Sequence, residues 1–307
     1  MIILVAVCGM VAVVVNLGPP AWMRELLEQG PGKAAPTEES AEGSRTVQKG
    51  VAPEGTRLVW KDDFSGPSGS APDAGRWKIE TGTPGTGEVE YNTRKNVILN
   101  GKGQLVITAR RQHFRGAEYT SARITSEGRF ETTYGRIAAR IKTPNGQGLW
   151  PAFWLLGTNF RDRPWPDCGE IDIMERRGDR PDHYQATVQG PGYSGVGITE
   201  HYSLGPGGDF SDGFHVFSLD WTPDKLIFMI DGYVVTTVER ATLPGEWVFG
   251  NPFFIVLNLA VGGPYPGDPD ASTPFPAKMV VDYVRAYSFP ETKITKLSPE
   301  GAPALRR

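Results

Sequence analysis

The sequence predicts an all-β fold, two antiparallel sheets packed face to face, and three observations carry that reading. Short segments of alternating apolar and polar residues follow one another closely, and helical periodicity is almost absent. Glycine (38) and proline (26) are well above ordinary usage, which fits many turns between short strands. Aromatic residues still make up 10% of the chain, and a disordered chain would be poor in them. The 307 residues can bury a sizeable core in one large sandwich domain.

Residues 2–15 (IILVAVCGMVAVVV) carry no charge. The run is short for a membrane span and suits the apolar region of a signal peptide. Extended through Asn16 and Leu17 to Pro19-Pro20-Ala21-Trp22, it reaches the length of a thin anchor. Residues 1–23 therefore read as a signal peptide or a membrane anchor, with a buried core segment as the third reading. Either of the first two exports the domain, so the expected location is extracellular, secreted or anchored. No Lys or Arg precedes the run, no A-x-A cleavage site is evident, and Val7 before Cys8 fits a lipoprotein site poorly. Residues 24–55 mix Glu, Lys, Ala, Pro, Gly and Ser with few large apolar residues, the composition of a flexible linker. The folded domain is expected over 56–290, followed by a loosely ordered polar tail over 291–307.

Within the domain, Leu58–Phe64 reads as a strand. Leu105–Arg110 alternates Leu, Ile and Ala against Val, Thr and Arg. Tyr134–Lys142 sets Ile137, Ala139 and Ile141 against Arg136, Ala138 and Arg140. Phe214–Trp221 keeps the same period. Lys225–Ile230 and Tyr233–Val238 flank Asp231-Gly232, a strong signal for a two-residue hairpin. Phe253–Val261 is apolar except for Asn258, so it should be a central buried strand. Val280–Tyr287 is the last alternating strand. About a dozen strands without a long helix give the sandwich.

The chemistry concentrates in Trp165-Pro-Asp-Cys-Gly-Glu-Ile-Asp-Ile-Met-Glu175. Glu170, Asp172 and Glu175 lie among Ile and Met, and buried acids are rare unless paired or functional. In a regular strand Glu170 and Asp172 share one face and Glu175 falls on the other. One extra residue, a β-bulge, returns Glu175 to the first face. A solvated strand face and a calcium loop are the competing readings. The intervening Ile and Met argue for a sheet, since calcium loops place oxygen donors in a glycine-bearing turn. Two carboxylates flanking a scissile bond are what retaining glycoside hydrolysis requires.

Aromatic residues add weight. Trp150, Trp154 and Trp165 stand close to the acids in sequence, and indole planes stack on the C–H faces of sugars. Trp150 and Trp154 share a strand face, so at least one of them should line a cleft if the other face is core. The loops Gln189-Gly-Pro-Gly-Tyr-Ser-Gly195 and Gly262-Gly-Pro-Tyr-Pro-Gly267 lead into no helix and are not phosphate loops. They read as turns bordering a cleft, with Tyr193 and Tyr265 either sugar contacts or ordinary turn residues. The four histidines show no metal spacing, and His215 reads as a satisfied core histidine. Cys168 shares strand parity with Glu170 and is expected to face the cleft without acting as a nucleophile. A net charge of −3 gives no sign of nucleic acid or an anionic membrane as a partner.

Gly169-Glu-Ile-Asp-Ile-Met-Glu175, preceded by Trp150-Pro-Ala-Phe-Trp154, resembles the signature of family 16 glycoside hydrolases. The extra Met174 is similar to the bulged endo-1,3-β-glucanase (laminarinase-like) form rather than the unbulged lichenase form. The resemblance runs from about Leu58 to Tyr287. It includes Trp60-Lys-Asp-Asp-Phe64, Tyr119-Thr-Ser-Ala-Arg-Ile124, Asn258-Leu-Ala-Val-Gly-Gly263 and Val281-Asp-Tyr-Val-Arg285. It implies a concanavalin-like β-jelly roll with a cleft across the concave sheet, and β-glucan as the partner. It implies Glu170 as nucleophile, Glu175 as acid and base, and Asp172 as the group that orients Glu170. Trp150, Trp154 and Trp165 would line sugar subsites. No cofactor is required for the chemistry. A structural calcium, often bound in this group where the first and last strands meet, maps to Asp63, Gly101 and Asp282.

Two departures from the family pattern bear on substrate. Gln189 stands where laminarinase-like members usually carry His, and Pro264-Tyr265 where they usually carry Asn-Trp. Other polymers, transfer instead of hydrolysis, and a non-catalytic glucan-binding module stay as alternatives. Three mutually repelling carboxylates argue against the last. A monomer is expected.

Overall fold

Period-2 alternation gives each strand one apolar face, and the sandwich closes on those faces. The computed structural model describes residues 55–289 and 293–296. The apolar run, the linker and the remainder of the tail lie outside the described residues.

The first sheet has ten strands. Its spatial order is Tyr233–Glu239, Lys225–Ile230, His215–Trp221, Gly135–Lys142, Ala277–Ser288, Leu105–Phe114, Ala117–Ser121 and Glu90–Asn92. Arg57–Asp62 also pairs with Ala277–Ser288, and Val97–Leu99 with Leu105–Phe114. The second sheet has nine strands, and it carries the acids. Its order is Tyr193–Ser203, His183–Gly190, Glu170–Glu175, Leu149–Gly157, Phe253–Val261, Arg123–Thr125 and Lys78–Glu80. Phe130–Thr133 joins it by pairing with both Phe253–Val261 and Lys293–Lys296. Pairing is antiparallel except between Glu90–Asn92 and Ala117–Ser121, which run parallel.

Lys225–Ile230 and Phe253–Val261 have the expected bounds, and Leu105–Phe114 runs four residues further than expected. The three-residue strands had no alternation long enough to register. Lys293–Lys296 is a strand, where a loosely ordered tail was expected. Asp231 (φ 49) and Gly232 (φ 86) are both left-handed, as the tight hairpin turn between twisted strands requires.

Side chains sort as their parity dictates. Ile137, Ala139 and Ile141 are wholly buried between the sheets. Their outward neighbours are ion-paired: Arg136 with Asp220 at 2.5 Å and Arg140 with Asp282 at 2.8 Å. Trp221 closes one end of the core against Phe253, and its Nε1 donates to the Phe249 carbonyl at 3.0 Å. Trp77 closes another part, with Nε1 donating to Asp62 Oδ2 at 2.9 Å. Phe253–Val261 lies inside the second sheet, with every residue buried but Asn258. The one polar residue of that strand therefore faces the other way, toward the functional surface.

Candidate active site

The acid strand begins at a glycine that no other residue can replace without strain. Gly169 lies at φ 81, and a Cβ there would come within 2.8 Å of Val248 and 2.9 Å of Phe253. That turn also breaks the parity that linked Cys168 to Glu170. Cys168 is therefore wholly buried rather than facing the cleft, and burial pushes its thiol up to about 11.

From Glu170 the strand alternates. Glu170 and Asp172 face outward, while Ile171 and Ile173 enter the core. Met174 is also in the core, so two consecutive residues point inward and Glu175 comes out on the side of Glu170. Both neighbouring strands record the slip. Trp154 pairs with Asp172 and Phe153 with Met174, which leaves Ile173 unpaired. On the other side Thr187 pairs with Asp172 and Gln185 with Glu175. This is the expected bulge.

Cross-strand pairing sets the acids in rows. Glu170 stands between Leu156 and Gln189, Asp172 between Trp154 and Thr187, and Glu175 between Ala152 and Gln185. The Glu175 row continues through Ala152 to Asn258 and Arg123. Ala152 leaves the floor open between two indoles. Trp150 Nε1 donates to Glu175 Oε1 at 2.9 Å, and Gln185 Nε2 donates to Glu175 Oε2 at 3.2 Å. Trp154 Nε1 donates to Asn258 Oδ1 at 2.7 Å, and the Arg123 guanidinium lies 4.7 Å over the Trp154 ring. The Tyr265 ring packs 5.1 Å from Trp150. It is held there by the second glycine loop, where Gly262 lies at φ 71 with Val89 2.8 Å from where a Cβ would stand.

Burial and mutual repulsion act together on the three acids. Burial first, then the Glu175 charge, pushes Glu170 up to about 8, with Arg123 pulling the other way. Asp172 is 3% exposed, its Oδ2 has no partner, and burial plus both glutamates push it well above the carboxylate range. Glu175 is also raised by burial, against the pull of Gln185 and Trp150. The trio therefore keeps its protons to higher pH than ordinary carboxyls do, and those protons belong to the cluster as a unit. Asp172 is the natural seat for one. It has neither a donor nor a cation to stabilise its anion, whereas Glu170 has Arg123 and Glu175 has Trp150 and Gln185, and protonated Asp172 can donate in turn.

A stability effect follows from these directions. Unfolded carboxyls ionise near pH ~4. Between there and about pH 8 the folded trio retains protons that the unfolded chain has lost, so the cluster's contribution falls as pH rises. Glu170→Gln should raise Tm over wild type by an amount near zero at pH 4 and largest at pH 8 and above. Thermal melts across that range check it, and a gain largest at acid pH would contradict the assignment.

The other expected residues divide. Trp150 and Trp154 both stand on the cleft face, and Gln189 lies beside Glu170 with its Oε1 accepting from Gly195 N at 3.0 Å. Trp165 is 48% exposed on the loop entering the acid strand, at the Glu170 end. Tyr193 is not a cleft residue. The turn before it is only Pro191-Gly192, so Tyr193 already starts the next strand, paired with Gly190. Its ring is buried, and its hydroxyl donates to the Glu246 carbonyl at 2.7 Å. His215 is satisfied, with Nδ1 2.7 Å from Asp231 and its ring on Phe210.

The calcium positions do not form a cage. Burial raises Asp63, but Lys61 and Arg285 hold it below the ordinary range, with Arg285 at 2.8 Å. Asp282 is paired with Arg140. Both carboxylates serve cations already present. Among the described residues no group of three or more acidic, His or Cys side chains is arranged to hold a metal.

Arg123, Asn258, Gln185 and Thr187 were not expected at the site. Asn258 alone had a signal, as the polar break in an apolar strand. The other three come to the acids through pairings between strands distant in sequence.

Comparison with known proteins agrees with this geometry. Residues 86–285 match the family described as Glycosyl hydrolases family 16. A beta-glucanase from Rhodothermus marinus is 38% identical over 250 residues, covering 76% of this chain and 86% of that protein. The endo-β-1,3-glucanase of Pyrococcus furiosus is 48% identical with a TM-score of 0.72, over 76% of this chain and 95% of its own. The laminarinase catalytic domain of Thermotoga maritima is 42% identical with a TM-score of 0.72, over 76% and 99%. The match encloses the acid strand, its two neighbours and the aromatic walls, and the chain belongs to family 16 of the glycosyl hydrolases.

Proposed function

We propose that the protein is an endo-acting 1,3-β-glucanase that hydrolyses laminarin-type glucan with retention of configuration. The observation that carries this is the bulged strand. It sets three raised carboxylates on one cleft face, beside two indoles and without a basic ion partner on Glu175.

In its ionised form, the minority below about pH 8, Glu170 attacks the anomeric carbon and forms the glycosyl–enzyme bond, while the bond to the leaving oxygen breaks. Glu175 gives its proton to that oxygen. Trp150 and Gln185 each donate to one of its oxygens, so they stabilise the carboxylate that this step creates. In the second step that carboxylate takes a proton from water, water oxygen bonds to the anomeric carbon, and the bond to Glu170 breaks. Protonated Asp172 supplies a donor beside Glu170 and limits the charge of the trio. Arg123 favours the ionised form of Glu170. Trp150, Trp154 and Trp165 stack sugar rings, with Gln189 and Tyr265 at the margins.

The similarity to laminarinases supports the linkage. The proposal extends to an exported protein, secreted or anchored, on the strength of the apolar residues 2–15, and it includes no calcium. Purified protein should release oligosaccharides from laminarin and curdlan, with the β-anomer appearing first by NMR. First appearance of the α-anomer would refute retention, and intact laminarin would refute the activity.

A further inference from the structure

A pocket of about 180 Å³ opens at the Glu175 end of the cleft, lined by Arg177, Arg180, His183, Gln185, His201 and Tyr265. Two of these bind it to the catalytic row. Gln185 donates to Glu175, and Tyr265 packs on Trp150. The pocket is therefore an extension of the cleft on the side of the acid. Four of the others are basic or imidazole side chains, the seventh lining residue is the buried Tyr184, and no carboxylate lines it.

The local structure builds those cations in place. Arg176, directly after Glu175, is wholly buried and points into the turn that follows. Its Nε donates to the His183 carbonyl at 3.0 Å, and its NH2 to the carbonyls of Arg180 and Pro181 at 3.0 and 2.8 Å. It also donates to Thr143 Oγ1. A buried guanidinium thus fixes the backbone that carries Arg177, Arg180 and His183. Asp179 takes both arms of Arg177, at 3.0 and 2.7 Å, and Asp182 holds His183 Nδ1 at 2.6 Å. Arg180 differs from both. Its backbone is clamped, its side chain is exposed, and its guanidinium makes no hydrogen bond or ion pair among the described residues. An unpaired guanidinium fork on a clamped backbone, at the mouth of a cleft, is a site for a planar or tetrahedral oxyanion.

We propose that this pocket binds an anionic substituent, a carboxylate or a sulfate ester, on a sugar of the leaving group, so that the enzyme favours charged glucans over neutral ones. The inference rests on Glu175 being the acid. The size supports a substituent rather than a whole ligand, because pockets for drug-sized molecules measure roughly 300–1,000 Å³.

The test uses laminarin and two lightly substituted derivatives of the same preparation, one carboxymethylated and one sulfated. The readout is the ratio of kcat/KM on the charged to the neutral polymer, at low and high salt. Wild type should give a ratio above one on at least one derivative, and high salt should reduce it. Arg180→Gln should lower the ratio about tenfold, the scale of a lost charge-assisted hydrogen bond. Arg180→Lys, which keeps the charge without the fork, should lose less. Mass spectrometry of the products should find the substituents enriched at or next to new non-reducing ends, the part that departs as leaving group. The two derivatives distinguish carboxylate from sulfate. A wild-type ratio of one or less on both, a ratio that Arg180→Gln leaves unchanged, or substituents scattered along the products overturns the proposal. Failure to cleave laminarin itself would instead remove the glucanase reading.

Discussion

Glu175→Gln should give a folded protein whose kcat on laminarin is lower by roughly 10²–10⁴, the range of a lost general acid–base. In kcat/KM the deficit should shrink sharply on an aryl glucoside oligomer, because a phenolate departs without a proton, while kcat stays low because the second step still lacks its base. Glu170→Gln should lose roughly 10⁴ or more on both substrates, since no leaving group replaces the missing nucleophile. This contrast separates the roles, which the raised protonation of both glutamates does not do by itself. The geometry assigns them by partners. Glu175 has two donors ready for its anion, whereas Glu170 has Arg123 nearby and Asp172 beside it in the strand. Should the aryl substrate rescue Glu170→Gln and not Glu175→Gln, the two roles are exchanged.

The second large effect concerns the bulge. Deleting Met174 leaves Glu-Ile-Asp-Ile-Glu, a strictly alternating strand whose last glutamate still faces the cleft. Neighbouring strands already skip a residue here, so their pairing is kept. The variant should fold, lose about 2–5 kcal/mol because a buried methionine is gone, and retain measurable activity. Inserting one alanine between Met174 and Glu175 has the opposite result. It shifts parity by one and turns Glu175 toward the core. Activity should vanish, with a destabilisation of about 3–5 kcal/mol from an unpaired buried carboxylate. Kinetics and denaturant melts on the two variants check this, and an active insertion variant would show that the bulge does not aim Glu175.

Much of this was legible in the chain. Alternation over Gly135–Lys142 and His215–Trp221 placed the sheets, because parity is a local property. The same parity exposed the acids, since Glu175 sat one residue out of step. Local signals failed where a single backbone event resets the count. Gly169 at positive φ took Cys168 out of register, and a two-residue turn made Tyr193 a core residue. They failed as well where partners come from afar. Gln185 meets Glu175, and Arg123 meets Asn258, through pairings that only the assembled sheet defines. The run Arg176-Arg177-Gly-Asp-Arg180 was visible, but its division into one buried clamp and two pocket cations was not.

All three acids hang from six residues of one strand. Their spacing is therefore a property of one short piece of backbone, like marks on a ruler, and no sliding of one element past another can alter it. The parts that border the cleft on either side come from elsewhere: the loop bearing Trp165, the loop bearing Tyr265, and the arginine-rich turn after Glu175. Those segments can be exchanged or lengthened without disturbing the marks. A scaffold of this kind separates the timing of bond cleavage from the choice of chain to be cut.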